Sequence, residues 1–336
     1  MTSSRLLLVT PTFHDYWVSI ADAFGQRGYS TTVCRYDELA TRAEKVHNKV
    51  GHELPQRLGR SRHGLLRARL TRRAVSAVRD ARPDIVLTVK GDLLDSGYWD
   101  AVDASGARHV LWLYDELRRT EHDEASLSRA RAVASYSPAD VAALNAAGHP
   151  AALVPLAFDP AYAAHPGRRG PTVTFVGARY PRREETLLAL SAAGVPVRAF
   201  GRDWSRHLAD RLRTWNLRRP AVPSGGDLTR PEAYAVMAGS LATLNIHGDQ
   251  DGFTMRTFEA CGVGALQLVD RSDITDLYEP GTEVLTYDSI DELTDLCRRA
   301  AADVRWADGI RSAGRRRTLA AHTFAHRAGV LESLWA

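Results

Sequence analysis

Short apolar runs rich in β-branched residues alternate with amphipathic segments along the first half of the chain. Six of these runs predict strands: LLLVT, STTVCRY, DIVLTV, HVLWLY, AVASYS and AALVPLA. Apolar positions recur at helical spacing between most of them, as in Trp17–Gly28, Leu65–Ala81 and Ala139–Ala147. Alternating strands and helices are typical of a parallel sheet that crossover helices wrap on both faces.

The alternation restarts in the second half. Residues 159–171 combine Pro, Gly and Arg without periodicity, which is typical of a linker. Five further strands are then predicted by TVTFVG, VPVRAFG, LATLNIH, ALQLVD and EVLTYD. We therefore expect two doubly wound α/β domains, at residues 1–158 and 172–317. Segment 318–336 predicts an amphipathic helix that crosses back to the first domain. Its apolar positions are Leu319, Phe324, Val330, Leu331 and Leu334.

Length and composition agree with a folded two-domain protein. The chain has 336 residues, which is more than one hydrophobic core usually holds. Its composition, 44% hydrophobic and 25% charged, is ordinary for a folded protein. No apolar run approaches the length of a membrane span, and RLLLVTPTF is too short for a signal peptide, so we expect a cytoplasmic protein. Cys34, Cys261 and Cys297 show no CxxC spacing, which argues against disulfides and structural zinc.

Positive charge is concentrated in one stretch. The whole chain carries only +4, but residues 42–73 contain ten Lys and Arg against Glu44 and Glu53. The default interpretation is a solvated helical face. The alternative is a patch that attracts an anionic acceptor or a membrane surface. Few aromatic residues lie in the stretch to stack on bases, so a nucleic-acid acceptor is the weaker expectation.

The segment GDQDGFTMRTFEACGVGA, Gly248 to Ala265, carries the densest candidate chemistry. It follows the predicted strand LATLNIH and passes through a Gly/Asp loop into a helix. Ligands of open α/β sheets bind beyond the carboxyl ends of the strands, where helix N-termini suit phosphate. Asp251 and Glu259 would accept hydrogen bonds from hydroxyl groups. An extended ligand with phosphates and hydroxyls, such as a nucleotide sugar, fits both features.

These residues also resemble a known family. DGFTMRTFEACGVGA is similar to the acidic-x7-acidic segment of GT-B glycosyltransferases, with Asp251 where the commoner pattern has Glu. The longer segment LNIHGDQDGFTMRTFEACGVGALQL resembles the C-terminal domain of CgeB-like (spore-maturation-type) glycosyltransferases, with RTFE at Arg256–Glu259 and the following glycine at Gly264. The resemblance covers Thr172 to Leu334 well and the first domain loosely.

The resemblance implies a fold, a reaction and partners. It implies a GT-B fold, two Rossmann-like domains facing a cleft. The donor would be a nucleoside-diphosphate sugar, UDP- or dTDP-linked. The acceptor would be a hydroxyl-bearing small molecule, glycan or lipid-linked glycan, bound by the first domain.

The resemblance also implies roles for single residues. Glu259 would hold the ribose hydroxyls, Arg256 and the helix N-terminus the diphosphate, and Asp251 the donor sugar. Gly252 and Thr257 belong to the same donor segment. The alternative for Arg256 and Glu259 is an ion pair on the helix surface.

A second segment, FVGARYPRREETL, resembles the strand, glycine and basic loop that face the donor diphosphate. Gly177 ends the strand, and Arg183 stands at the position that is usually Lys or Arg, with Arg179 and Arg182 as near alternatives. A cation there would offset the charge that builds on the leaving diphosphate. The alternative pairs these arginines with Glu184 and Glu185.

Two further features complete the donor expectation. We expect a reaction that needs neither a metal ion nor a further cofactor. In VRAFGRDW, Gly201 would allow a close backbone approach, and Trp204 is either a wall for the base or part of the core.

A catalytic base is expected at the strand ends of the first domain, because an inverting enzyme must deprotonate the acceptor hydroxyl. LWLYDE resembles the family's Trp-x-x-Asp strand end, so Asp115 is the first candidate, with a helix N-cap as its alternative. His14 is the second, and Asp15 and Asp92 are further candidates. In a retaining enzyme the donor phosphate would take the proton instead.

Other classes of protein are partly excluded. A nicotinamide-dependent oxidoreductase lacks its motif, because LLLVTPTFHDYW contains no GxGxxG turn. A sugar-nucleotide epimerase of the same architecture and a non-catalytic nucleotide-sugar-binding protein stay as alternatives.

Overall fold

The computed structural model describes residues 3–38, 63–162, 169–208, 210–211 and 218–336. The chain divides into two compact units. The first contains Met1–Pro155 and Phe324–Ala336, and the second contains Leu156–Thr323. The linker predicted at 159–171 therefore falls inside the second unit, and its residues 163–168 lie outside the described residues.

The first unit is built on a parallel sheet of six strands in the order β2-β1-β3-β4-β5-β6. Its strands are β1 (Arg5–Thr10), β2 (Ser30–Arg35), β3 (Ile85–Val89), β4 (Arg108–Trp112), β5 (Ala132–Ser135) and β6 (Ala151–Leu153). All six predicted runs form strands. The central strands are largely apolar because helices cover both faces, and Leu7, Val86 and Leu111 are fully buried.

The described helices of the first unit lie between these strands and at the end of the chain. They are α1 (Tyr16–Gln26), α2 (His63–Ala81), α3 (Ser96–Ser105), α4 (Glu124–Leu127), α5 (Pro138–Ala146) and α11 (Phe324–Ser333). Helix α5 begins at Pro138 because the Ser137 side chain accepts a hydrogen bond from the Asp140 backbone N–H and proline suits the first helical position.

The second unit repeats the architecture. Its six parallel strands have the order β12-β11-β10-β7-β8-β9. They are β7 (Val173–Val176), β8 (Val197–Phe200), β9 (Ser224–Gly225), β10 (Ala242–Asn245), β11 (Gln267–Val269) and β12 (Leu285–Thr286). The two-residue strand β9 was not predicted. The described helices are α6 (Pro181–Ala192), α7 (Arg230–Ala238), α8 (Met255–Gly262), α9 (Ile290–Ala302) and α10 (Val304–Ala321). Both units confirm the predicted doubly wound α/β fold.

The bounds of the C-terminal helix predicted at 318–336 are wrong, although residues 324–336 do belong to the first unit. Helix α10 ends at Ala321 and α11 starts at Phe324, so the helical conformation is interrupted at His322 and Thr323. The break follows from backbone pairing, because the His322 carbonyl accepts a hydrogen bond from the Phe158 N–H and Thr323 bridges Phe158. Leu319 and Val330, predicted as apolar contacts, are exposed, whereas Phe324 and Leu331 are buried.

Two smaller expectations have outcomes as well. Cys34, Cys261 and Cys297 are buried and unbridged. In the basic stretch 42–73, residues up to 62 lie outside the described residues. The remainder opens helix α2, where Arg67 Nη2 donates to the Asp92 carbonyl at 2.8 Å and Arg67 pairs with Glu121 at 3.3 Å.

Candidate functional site

The second sheet has a topological switch point between β7 and β10. From β7 the chain runs through β8 and β9 in one direction, and it returns to β10 before continuing to β11 and β12 in the other. Helices α6 and α8 begin just beyond the carboxyl ends of these two neighbouring strands. A crevice at a switch point, lined by helix N-termini, is where open α/β sheets bind anionic ligands.

Backbone atoms approach closely at the ends of β7 and β8. Gly201 has φ +146°, and a Cβ atom there would lie 2.4 Å from the Gly177 carbonyl oxygen, so only glycine fits this close contact between the two strand ends. The Trp204 indole Nε1 donates to the same oxygen at 2.9 Å, and the side chain is fully buried. Trp204 is therefore part of the core of this unit.

The structure gives Arg179 a structural partner. Its guanidinium forms two hydrogen bonds of 2.9 Å and one of 3.1 Å with the Glu184 carboxylate, and Nη1 donates to the Arg218 carbonyl at 2.7 Å. Burial alone would raise the pKa of Glu184, but hydrogen bonds from the Ala221 N–H and from Arg179 outweigh it and lower the pKa. The ion pair considered as the alternative for these arginines thus exists at Arg179.

Arg182 and Arg183 lie at the start of α6, beside the switch point. Arg183 donates to the Ile246 carbonyl from Nε at 3.0 Å and from Nη2 at 2.8 Å, and to the Ala178 carbonyl from Nη1 at 3.1 Å. It therefore ties the end of β7 to the end of β10. The Arg182 side chain is 63% exposed and pairs with the buried Asp270 at 3.1 Å.

The loop that carries Asp251 is held by an arginine that the sequence analysis missed. Arg271 donates from Nη1 to the Gln250 carbonyl at 2.8 Å and from Nη2 to the Asp251 carbonyl at 2.7 Å. Its guanidinium also pairs with Asp273 and lies 4.3 Å from the centre of the Phe253 ring. Asp251 itself is exposed and Gly252 is buried. A basic residue soon after β11 was the only available signal, and no spacing rule connects it to the loop.

Helix α8 holds Arg256, Thr257 and Glu259 in different environments. The Glu259 side chain is fully buried, its Oε2 lies 2.7 Å from Arg256 Nη1, and its Oε1 accepts from the Tyr234 hydroxyl at 3.0 Å. The predicted alternative, a surface ion pair, is corrected in one respect: the pair forms, but the carboxylate is inside. Thr257 is buried and its Oγ1 accepts from Asn245 Nδ2 at 2.7 Å. Tyr234, a partner of Glu259, was not foreseen.

The candidate bases of the first unit follow strands β1, β3 and β4. Five of its non-glycine residues have positive φ within the described ranges, and four of them lie in these strand-end turns: His14, Asp15, Lys90 and Tyr114. Non-glycine residues in this backbone region are unfavourable and cluster at functional sites. The turns are thus candidates for acceptor chemistry on structural as well as sequence grounds.

Asp115 lies in the turn after β4 and is paired with a lysine. Its Oδ2 is 3.2 Å from Lys90 Nζ, and its Oδ1 accepts from the Glu116 N–H at 3.0 Å. Glu116, and not Asp115, occupies the N-cap position of the 3-10 helix that follows, so the N-cap alternative for Asp115 is wrong.

The other candidates differ in exposure. His14 is exposed, with its ring edge-on to Phe13 at 4.8 Å. Asp15 accepts from Trp17 Nε1 at 3.2 Å. Asp92 is 6% exposed, and its Oδ1 has no hydrogen-bond partner among the described residues.

Comparisons with known proteins identify the class of fold. Over 99% of this chain and 98% of the other, the structure resembles sucrose-phosphate synthase from Thermosynechococcus elongatus, with a TM-score of 0.65 and 13% identity. HepE from Anabaena, in complex with UDP and glucose, matches over 98% of both chains with a TM-score of 0.64 and 14% identity. The chain therefore has the GT-B fold of glycosyltransferases.

More particular matches are these. Residues 182–333, just under half of the chain, match the family model described as glycosyl transferase-like. A protein assigned as a UDP-N-acetylglucosamine 2-epimerase from Listeria monocytogenes matches over 99% of this chain and 95% of the other, with a TM-score of 0.61 and 11% identity. No curated protein matches the sequence significantly. Among the helices of the described ranges, none has both the length and the apolar character of a bilayer span.

Proposed function

We propose that the protein is a glycosyltransferase that moves a sugar from a nucleoside-diphosphate sugar to a hydroxyl-bearing acceptor. The observation that carries the proposal is the switch point of the second sheet. Two helix N-termini, Arg182, Asp251 and the Arg256–Glu259 pair all belong to the two connections that leave β7 and β10 there. Cationic and acidic groups in this arrangement suit a diphosphate flanked by hydroxyls.

In this proposal the donor residues divide by chemistry. Arg182, the most exposed of the basic-loop arginines, neutralises the diphosphate together with Arg256 and the N-termini of α6 and α8. Asp251 accepts from the donor sugar, and Glu259 from the ribose hydroxyls. The complexes of HepE with UDP and UDP-glucose support a uridine donor, with a dTDP-sugar as the alternative. Arg179, Arg183 and Thr257 hold this site in shape through the contacts described above.

The first unit binds the acceptor in this proposal, and Asp115 or His14 takes its proton. The acceptor is a small molecule, a glycan or a lipid-linked glycan. The CgeB-like relationship is also a proposal, and it is supported by the RTFE segment and the glycosyl transferase-like match of residues 182–333.

The test is a thermal-shift screen of nucleotide sugars followed by calorimetric titration. A ligand that binds only the folded protein stabilises it and so raises its melting temperature. At a ligand concentration of a hundred times Kd, the free energy of unfolding increases by about 2.7 kcal/mol. We expect UDP- or dTDP-sugars to raise the melting temperature and adenine nucleotides to leave it unchanged. If no nucleotide sugar stabilises the protein, the proposal is wrong.

Metal independence is part of the proposal and is tested separately. With donor and acceptor in hand, adding EDTA should leave the rate of transfer unchanged, because the arginines and helix N-termini supply the positive charge. A loss of activity that Mg²⁺ or Mn²⁺ restores would contradict it.

A sugar-nucleotide epimerase is the second candidate, favoured by the likeness to the Listeria monocytogenes protein. The two reactions differ in what they need. An epimerase converts UDP-N-acetylglucosamine without an acceptor, whereas a transferase releases the nucleotide only slowly until an acceptor is added. Product analysis of donor incubated alone separates them.

A further inference from the structure

A buried histidine follows strand β10, beside the switch point. The ring Nδ1 of His247 and its own backbone N–H both lie 2.9 Å from Oδ1 of Asp270, the residue after β11. The other oxygen of Asp270, Oδ2, lies 3.1 Å from Arg182 Nη2 at the start of α6. The Asp270 carboxylate thus links the ends of strands β10 and β11 to the start of helix α6, which follows β7.

These contacts fix the tautomer of His247. An ionised carboxylate can only accept hydrogen bonds, so Nδ1 must carry the hydrogen that points to Asp270. In the neutral form of the ring, which has a single N–H, Nε2 therefore presents a lone pair. Nε2 is buried and has no hydrogen-bond partner in the described part of the chain. A buried acceptor without a donor is unfavourable, and a ligand group that donates would satisfy it.

We propose that His247 Nε2 accepts a hydrogen bond from a hydroxyl of the donor's sugar, an inference that rests on the proposed function. Phosphate oxygens only accept, so the diphosphate does not fit this position. The chain continues from His247 directly into the loop of Asp251, which is assigned to the donor sugar, whereas Glu259, assigned to the ribose, lies within α8. Asp270 acts as a positioning residue that holds the ring in the accepting tautomer.

The position is shielded from water. His247 is 2% exposed, and the Phe253 ring stands edge-on to the imidazole with centroids 5.2 Å apart. Contact with a ligand therefore requires the covering side chains, Phe253 among them, to shift when the sugar enters. A hydrogen bond formed in such a place discriminates between sugars more strongly than one in contact with solvent.

The experiment compares two ligands that differ only by the sugar. Wild type and His247→Asn are titrated calorimetrically with UDP and with UDP-glucose, or with dTDP and dTDP-glucose if the screen selects thymidine. The Asn amide can still donate to Asp270 Oδ1 but offers nothing at the Nε2 position. We expect the Kd for the nucleotide to stay within about twofold and the Kd for the nucleotide sugar to rise about three- to tenfold, the range of one hydrogen bond.

Each outcome decides a different statement. If the wild type binds no nucleotide sugar of the screen, the proposed function fails and takes this inference with it. Suppose that the wild type binds both ligands. If His247→Asn then binds both as tightly as the wild type does, or loses the same affinity for both, the role of His247 alone is overturned.

A second measurement needs no variant. In a long-range ¹H–¹⁵N spectrum of the wild-type protein, His247 Nε2 should resonate as an unprotonated nitrogen. Addition of the nucleotide sugar should move this signal, because the lone pair then accepts a hydrogen bond, and addition of the nucleotide should not. A protonated Nε2 in the free protein, or a signal that the sugar leaves in place, overturns the proposal.

Discussion

Replacing Arg256 with alanine should destabilise the second unit as well as weaken donor binding. Arg256 pairs at 2.7 Å with a carboxylate, Glu259, whose side chain is 0% exposed. In the folded protein that carboxylate has no contact with water, so removing the cation leaves a buried charge with one partner fewer, although the hydrogen bond from Tyr234 stays. The stability of the variant and its affinity for the donor must therefore be measured separately. Only then can a loss of activity be attributed to a lost contact between Arg256 and the donor diphosphate.

The magnitude follows from the burial of the two partners. Removing one partner of a buried ion pair typically lowers the free energy of unfolding by about 3–5 kcal/mol. The Arg256 side chain is 23% exposed, so water shares part of its role and we expect about 2–4 kcal/mol. The pair Asp295–Arg298 on α9 has the same i,i+3 spacing, with side chains 79% and 61% exposed. Exposed pairs typically contribute about 0–1 kcal/mol, so Arg298→Ala is the matched control.

Urea unfolding of Arg256→Ala, Glu259→Gln, Arg256→Ala/Glu259→Gln and the control Arg298→Ala measures this difference. The double variant removes the buried charge together with its partner and should recover a large part of the loss, which a double-mutant cycle reports as coupling. Nucleotide titrations are then made at a temperature where Arg256→Ala is fully folded. A loss no larger than that of Arg298→Ala would refute the reasoning, because the Glu259 carboxylate would then not depend on this cation.

Three further predictions concern other parts of the molecule. Asp115→Asn should lower turnover by about a hundredfold or more while the donor Kd stays constant, as for the loss of a general base, and a fully active variant would remove Asp115 from the mechanism. Arg271→Ala should raise the Kd for the nucleotide sugar, since the loop of Asp251 loses its hydrogen bonds, whereas Asp273→Ala keeps those bonds and should have the smaller effect in the same titration. Burial lowers the pKa of His109 from 6.5 to about 4. Because only the unfolded chain binds this proton between those values, the free energy of unfolding should fall by up to about 1.4 kcal/mol per pH unit as the pH drops through that window. His109→Asn should flatten the slope in urea titrations, and an unchanged slope would exclude His109 as its source.

The sequence predicted the strands well because strands depend on local patterns. Runs such as DIVLTV and LATLNIH are rich in apolar residues since parallel strands are buried on both faces, and their carboxyl ends mark the edge where open α/β sheets bind ligands. The contacts that hold the site depend on distant parts of the chain. Arg271 binds carbonyls of residues 250–252, and Tyr234 reaches Glu259 across 25 positions, and no local spacing encodes either contact.

The helix break at His322 escaped prediction for the same reason. Leu319, Phe324 and Val330 fit one amphipathic pattern on paper, but the pairing of Thr323 with Phe158, far away in sequence, interrupts the helix. The alternatives for the arginines were left open by charge pattern alone. Burial and distance separated Arg179, which is engaged with Glu184, from the exposed Arg182.

The last thirteen residues complete the unit that the first residues begin. Helix α11 packs on α1, Glu332 accepts from the Tyr29 hydroxyl at 2.8 Å, and the Trp335 carbonyl accepts from Arg108 at 2.9 Å. During synthesis the amino-terminal sheet consequently has to wait until residues 324–336 have left the ribosome before this helix can pack on it. A gene fragment that stops at residue 155 would leave Phe24, which packs against Trp335 at 5.4 Å between ring centroids, without that cover, and isolated expression of this half calls for grafting α11 back on.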